Sequence, residues 1–130
     1  SYRRIEVEKA SRTILVVDDQ EDLREIIKKR LEKEGYRVLV AGSFDEALDV
    51  VDRQSSSIDI LLTDIILPTK SGHELAQKVL SAHPETKIVY MSGYVEQELH
   101  EQLSGECALI LTKPFKLEVL LVALEDLSAA

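Results

Sequence analysis

TILVVDD, residues Thr13–Asp19, sets five β-branched or aliphatic residues directly before two adjacent carboxylates. An apolar run without polar alternation is the pattern of a strand buried on both faces, as in a parallel sheet covered by helices. Outward from it, similar runs recur: YRVLVA (Tyr36–Ala41), IDILLT (Ile58–Thr63), KIVYMS (Lys87–Ser92) and CALILT (Cys107–Thr112). Stretches of helical period separate them. Leu23, Ile26, Ile27 and Leu31 share one face, and Gly35 follows where that helix should stop. Phe44, Ala47, Leu48 and Val51 form a second stripe, with Ser43 and Glu46 spaced as a capping box. Leu75, Ala76, Val79 and Leu80 form a third, ended by Pro84. Val95–Leu103 (VEQELHEQL) is weakly amphipathic, and Leu117, Leu120, Leu121 and Leu124 form the last stripe. Five strand-then-helix units in succession predict an α/β sandwich with right-handed crossovers.

The rest of the composition bounds what such a domain can do. The chain has 130 residues, enough for one domain with a core of its own. It carries 24 acidic and 16 basic residues, net −8. The first twelve residues hold four basic against two acidic, so the remainder carries 22 against 12, net −10. A body this acidic repels nucleic acid and anionic membrane, whose binding rests mainly on cationic side chains. No apolar run approaches the roughly 20 residues that span a bilayer, and the charged N-terminus lacks the apolar stretch of a secretory signal. A single cysteine, Cys107, cannot build an internal disulfide framework and fits a reducing, cytoplasmic setting. Residues 1–12 lack the pattern of the rest and read as a linker or remnant before a domain spanning 13–130.

In an open parallel sheet, ligands bind beyond the carboxyl ends of the strands. The residues at those ends are Asp18 and Asp19 after the first run, Asp64 after the third, Ser92-Gly93 after the fourth and Lys113-Pro114 after the fifth. Each alone has an ordinary reading, Asp and Ser as helix N-caps and Lys as a solvated charge. Together they do not, because clustered carboxylates repel one another and call for a cation. Oxygen donors without His or Cys suit a hard ion, with Mg²⁺ the natural choice. His73, His83 and His100 lack ligand-like spacing and read as surface residues. Carboxylates with Mg²⁺, a hydroxyl and an ammonium form a phosphoryl-transfer set. No GxxxxGK[ST] loop and no G-x-S-x-G elbow accompanies it.

At ILVVDD (Ile14–Asp19), LLTDIILP (Leu61–Pro68), MSGY (Met91–Tyr94) and LTKPF (Leu111–Phe115) the chain resembles the receiver, or response-regulator, family of two-component signalling. The resemblance covers about Thr13–Leu127. It implies a doubly wound (βα)5 flavodoxin-like sandwich with a five-stranded parallel sheet in order 2-1-3-4-5. It implies Asp64 as the phosphorylated residue, and Mg²⁺ held by Asp19, Asp64 and the backbone carbonyl of Ile66, with Asp18 on a metal-bound water. Ser92 and Lys113 would bind the phosphoryl group, and a cis peptide before Pro114 would aim the lysine inward. The implied partner is a histidine kinase or a histidine phosphotransfer domain, with no nucleic acid or membrane contact by this domain.

One position departs from the family pattern. Where a Tyr or Phe is common three residues before the lysine, this chain has Ile110. Tyr90 or Tyr94 could stand in for it or be plain packing. Ile66 and Tyr94 also fall where the family tunes phosphoryl lifetime. The segment reads as a phosphoacceptor, not a kinase; its parent could be a hybrid sensor histidine kinase, with a transcriptional response regulator or a stand-alone regulator as alternatives. A rival reading is a pseudo-receiver, an interaction module that keeps the fold without phosphorylation. Such modules lack one of the acidic pair, the acceptor or the lysine, and this chain keeps them all. A phosphatase of related fold would need a DxDx[TV]-like loop, but Ile65 and Ile66 follow Asp64.

Overall fold

The five apolar runs are strands β1 (Thr13–Val17), β2 (Arg37–Ala41), β3 (Ile60–Asp64), β4 (Lys87–Ser92) and β5 (Leu109–Thr112) of the computed structural model. It describes residues 9, 12–54, 56–93, 101–103 and 105–129. All pairings are parallel, in order β2-β1-β3-β4-β5. The order inferred from the resemblance is the one observed. β1 lies between β2 and β3, so its five residues are buried on both faces. The unbroken apolar run of Thr13–Val17 follows from that position.

Four named helices cover the sheet: α1 (Glu21–Lys33), α2 (Phe44–Arg53), α3 (Gly72–Ala82) and α4 (Leu117–Ala129). The period-2 alternation of the strands divides the core in two. Leu15, Val17, Leu61 and Tyr90 pack with Phe44, Ala47 and Val51 of α2 and Leu75 and Val79 of α3. Ile14, Val16, Leu62, Val89 and Met91 pack on the other face with Ile27 and Leu31 of α1 and Leu120 and Leu124 of α4. Each such aliphatic side chain, fully buried, contributes about 1.5–3 kcal/mol. Of the helical stretch expected at Val95–Leu103, residues 101–103 are helical; residues 95–100, with Tyr94 and His100, lie outside the described residues.

Local signals set the helix ends. Ser43 caps α2 by accepting the Glu46 amide at 3.2 Å, as the capping-box spacing predicts. The reciprocal half differs, since the Glu46 carboxylate accepts the Gly42 amide at 2.6 Å. Ser71 caps α3 by accepting the Glu74 amide at 3.0 Å. Beyond α1, Gly35 sits at φ +105°, a left-handed conformation that a side chain would strain. Within the N-terminal twelve residues, Lys9 is buried against the domain. Its ammonium lies 2.8 Å from Glu125 of α4 and 3.7 Å from Glu34 at the end of α1.

Two strand starts fall two residues later than the apolar runs suggest. Ile58 and Asp59 precede β3: the Asp59 amide donates to the Thr13 carbonyl, and its carboxylate accepts the Thr13 amide at 2.7 Å. Cys107 and Ala108 precede β5, where the Ala108 amide donates to Ile88 before the ladder begins. Composition extends the runs over these residues, and only the pairing register decides where the strand begins.

Candidate functional site

The carboxyl ends of β1, β3, β4 and β5 lie side by side at one edge of the sheet. The ladder places Thr63 opposite Val17, Asp64 opposite Met91 and Ser92 opposite Thr112. The residues that follow therefore meet around a cleft of about 290 Å³, lined by Asp19, Gln20, Asp64, Ile65, Ile66, Met91, Ser92, Gly93 and Lys113. Asp18 lies behind this lining, fully buried at 0% exposure. All five side chains singled out in the sequence, Asp18, Asp19, Asp64, Ser92 and Lys113, thus belong to one site.

Lys113 is the hub of that site. Its Nζ lies 2.7 Å from Asp18 Oδ2 and 2.7 Å from Asp64 Oδ1. The Lys113–Pro114 peptide is cis, as the resemblance implies, and the Lys113 amide donates to the Ser92 carbonyl at 2.7 Å. Asp18 Oδ1 accepts the Gln20 amide at 2.8 Å, so the buried carboxylate is satisfied at both oxygens. Ser92, at 2% exposure, faces the same cleft. Ile66 lines its mouth and is 63% exposed.

Three carboxylates against one ammonium leave the corner short of positive charge. Burial pushes the Asp64 carboxyl up to about 7. Hydrogen bonding to Lys113 works against that rise, while the neighbouring Asp18 adds to it. Burial alone would lower the Lys113 pKa, but its hydrogen bonds to Asp18 and Asp64 outweigh it and hold the ammonium above its ordinary value. Asp18, Asp19 and Asp64 each offer an oxygen, and these oxygens lie within 4.8 Å of one another. An all-oxygen donor set with excess negative charge fits a hard divalent cation such as Mg²⁺. His73 instead contacts Glu106 at 3.0 Å and is not a member of that cluster.

Ile110 is partly buried against the core, and its register partner on β4 is Tyr90. Tyr90 is 1% exposed and packed among apolar side chains, which pushes its hydroxyl pKa upward. The aromatic on this face of the sheet is therefore a core residue of β4, beside an aliphatic on β5.

Two structural contributors carry no sequence motif. An added Cβ at Gly72, the first residue of α3, would lie 1.8 Å from the Asp64 carbonyl oxygen. The Gly72 amide donates to the Ile65 carbonyl at 2.6 Å, so the start of α3 abuts the end of β3. Arg24, on α1, donates from Nη1 to the Asp18 carbonyl at 2.9 Å. In sequence these are a lone glycine and a charge on a helix.

Comparison with known proteins bears on the same stretch. Residues 14–125 match the family described as Response regulator receiver domain. The chain is 30% identical over 118 residues to sensor kinase CckA of Brucella abortus, covering 90% of this chain and 12% of that protein. It is 34% identical over 119 residues to the response regulator receiver protein CpdR of the same organism, covering 90% of this chain and 97% of that one. Among solved structures, a response regulator receiver domain protein from Clostridium thermocellum superposes with a TM-score of 0.83 at 27% identity, covering 91% of this chain and 94% of that one.

Proposed function

The chain belongs to the response regulator receiver domain family, and we propose that Asp64 is its phosphoacceptor. One observation carries this reading: Asp64 lines the open cleft with one carboxylate oxygen 2.7 Å from the Lys113 ammonium. In the proposed step a carboxylate oxygen of Asp64 attacks the phosphorus of a phosphohistidine on a partner protein. The new P–O bond forms as the P–N bond breaks, and the bonding pair returns to the imidazole nitrogen. Lys113 neutralises charge on the phosphoryl oxygens, and the Ser92 hydroxyl would donate to one of them. Asp19, Asp64 and the Ile66 carbonyl would hold Mg²⁺, with Asp18 fixing the lysine and a metal-bound water. When bound, the ion supplies positive charge that the corner otherwise lacks. The acyl phosphate then biases a two-state surface beyond Ser92.

The relatives include a sensor kinase, of which this chain spans 12%, a receiver protein, of which it spans 97%, and transcriptional regulatory proteins, of which it spans half or less. A hybrid sensor histidine kinase remains our proposal for the parent chain, and the chemistry at Asp64 is the same in either setting. The cytoplasm is the proposed compartment: Cys107 is unpaired, and no helix among the described residues is long and apolar enough to cross a membrane.

For the phosphoryl donor we propose docking on an apolar groove that shares Gln20 and Lys113 with the cleft. Leu23, Ile26, Pro114, Phe115 and Leu117 complete the groove, and Ile26 is 52% exposed. Ile26→Glu is expected to slow transfer from a phosphohistidine protein about tenfold, by placing a charge in an apolar contact. Labelling by acetyl phosphate, which needs no docking, should be unchanged. An equal loss with both donors would place the defect in the cleft instead.

Thermal unfolding tests the site as a whole. Mg²⁺ should raise Tm, and Mg²⁺ with beryllofluoride, a mimic of the acyl phosphate, should raise it further. Ligands that bind only the folded form stabilise it by about 2.7 kcal/mol at a hundred times Kd. If neither addition moves Tm, the acidic cleft is no phosphoacceptor site, and the domain acts through protein contacts alone.

A further inference from the structure

The acidic corner poses a mechanical problem: Asp18 and Asp19 stand on one short loop opposite Asp64, and their mutual repulsion acts to spread it. The Asp18 carboxylate is held by Lys113 and by the Gln20 amide, at 2.7 and 2.8 Å. Its amide donates to the Ala41 carbonyl at 3.2 Å. Its carbonyl accepts from Arg24, six residues ahead on α1, at 2.9 Å. The arginine folds back over the first turn of its helix to make that bond. It does not behave as a solvated surface charge, since Nε is buried with no hydrogen-bond partner.

The other wall of the arginine slot is Gly42, in the loop between β2 and α2. A Cβ there would stand 2.7 Å from Arg24 Nη1 and 3.0 Å from Glu46 Oε2. The Glu46 carboxylate is itself fixed by the Gly42 amide at 2.6 Å. Arg24 is thus confined between the loop that carries Asp18 and Asp19 and the neighbouring loop that carries Gly42.

We propose that Arg24 is a positioning residue for the cation-binding corner, its guanidinium clamping the Asp18 backbone so that the Asp18 and Asp19 carboxylates stay in ligating positions. It touches neither the phosphoryl group nor the ion and acts through Asp18. The inference rests on the phosphoacceptor reading above and extends it to the β2–α2 loop, which supplies the wall that keeps the guanidinium in place. Removing partners that orient metal ligands typically weakens metal affinity by about 10–100-fold.

The test is Mg²⁺ titration by calorimetry on the wild type, Arg24→Gln, Gly42→Ala and the double variant, with Tm in EDTA and acetyl phosphate labelling measured in parallel. Arg24→Gln is expected to weaken Mg²⁺ binding about tenfold. Its Tm in EDTA should stay within about 4 °C of the wild type, as expected for a partly exposed polar contact. Labelling should be slow at low Mg²⁺ and recover at saturating Mg²⁺. Gly42→Ala, which crowds the guanidinium without touching the cleft, should shift affinity in the same direction. The double variant should be no weaker than Arg24→Gln alone, because both act through one contact. Wild-type affinity in Arg24→Gln overturns the proposal, as does full additivity in the double variant. A wild type that binds no Mg²⁺ and takes no label overturns the phosphoacceptor reading with it, which separates the two failures.

Discussion

Asp64→Asn should take no label from acetyl phosphate or a phosphohistidine donor and, in EDTA at pH 8, should be more stable than the wild type. Loss of label follows because an amide oxygen is a poor nucleophile beside a carboxylate. The gain in stability follows from the cost of ionising Asp64 where it stands. Its pKa is pushed to about 7 by burial, even with Lys113 beside it, while the unfolded chain releases that proton near 3.9. Between these values the folded state keeps a proton that the unfolded state has lost. Metal-free stability therefore declines as pH rises from about 4 to about 7, and the loss is complete above that. Asparagine imitates the neutral form at every pH. The variant should gain up to about 4 kcal/mol at pH 8 and nothing at pH 4. Mg²⁺ should reverse the order, stabilising the wild type more than the variant. Circular-dichroism melts of both proteins across pH give the difference curve, in which carboxylates common to both cancel. A labelled variant, or a difference curve that is flat from pH 4 to 8, would sink the assignment.

The opposing demands on Asp64 explain which parts of this protein could be read in advance. The strands were legible because a strand buried on both faces admits few polar residues, and Ile14–Val17 and Ile60–Leu62 admit none. The carboxylates, Ser92 and Lys113 were legible because each stands at a strand end, and a parallel sheet gathers those ends along one edge. Asp18 and Asp64 are the revealing pair, since burying two carboxylates opposes folding unless a cation is shared between them. Gly72 and Arg24 were not legible, because their importance comes from contacts between segments. Nothing local distinguishes a glycine that must yield to the Asp64 carbonyl from one that begins a turn. The Ile110 position was legible as a departure from the family, but not its consequence. The register of β4 and β5 reveals the buried Tyr90 beside it.

Gly72→Ala is expected to cost more stability than alanine at any other glycine of this chain. Two effects of opposite sign compete. Alanine favours the first turn of α3 and reduces the entropy of the unfolded chain, worth about 0.4–1 kcal/mol. Against this, its Cβ would fall 1.8 Å from the Asp64 carbonyl oxygen, 2.9 Å from its carbonyl carbon and 3.2 Å from the Thr63 methyl. The nearest obstacles are backbone atoms of a central strand, which cannot rotate aside. The same carbonyl oxygen accepts the Thr63 hydroxyl at 3.0 Å, which fixes it further. Either α3 lifts away, breaking the 2.6 Å bond from the Gly72 amide to Ile65, or the end of β3 shifts and carries Asp64 with it. Overpacking of this kind costs about 1–3 kcal/mol when side chains can adjust, and a clash with backbone belongs at the upper end. The clash therefore wins, by about 2 kcal/mol net, or roughly 6–8 °C in Tm for a domain of this size. Labelling should fall as well, since the displaced atoms belong to the acceptor residue. Gly105→Ala is the control, because an added Cβ there has no neighbour within 4 Å. Equal melting of Gly72→Ala and the wild type would show that α3 is not pressed against the acceptor strand, and that the position of Asp64 is set by the sheet alone.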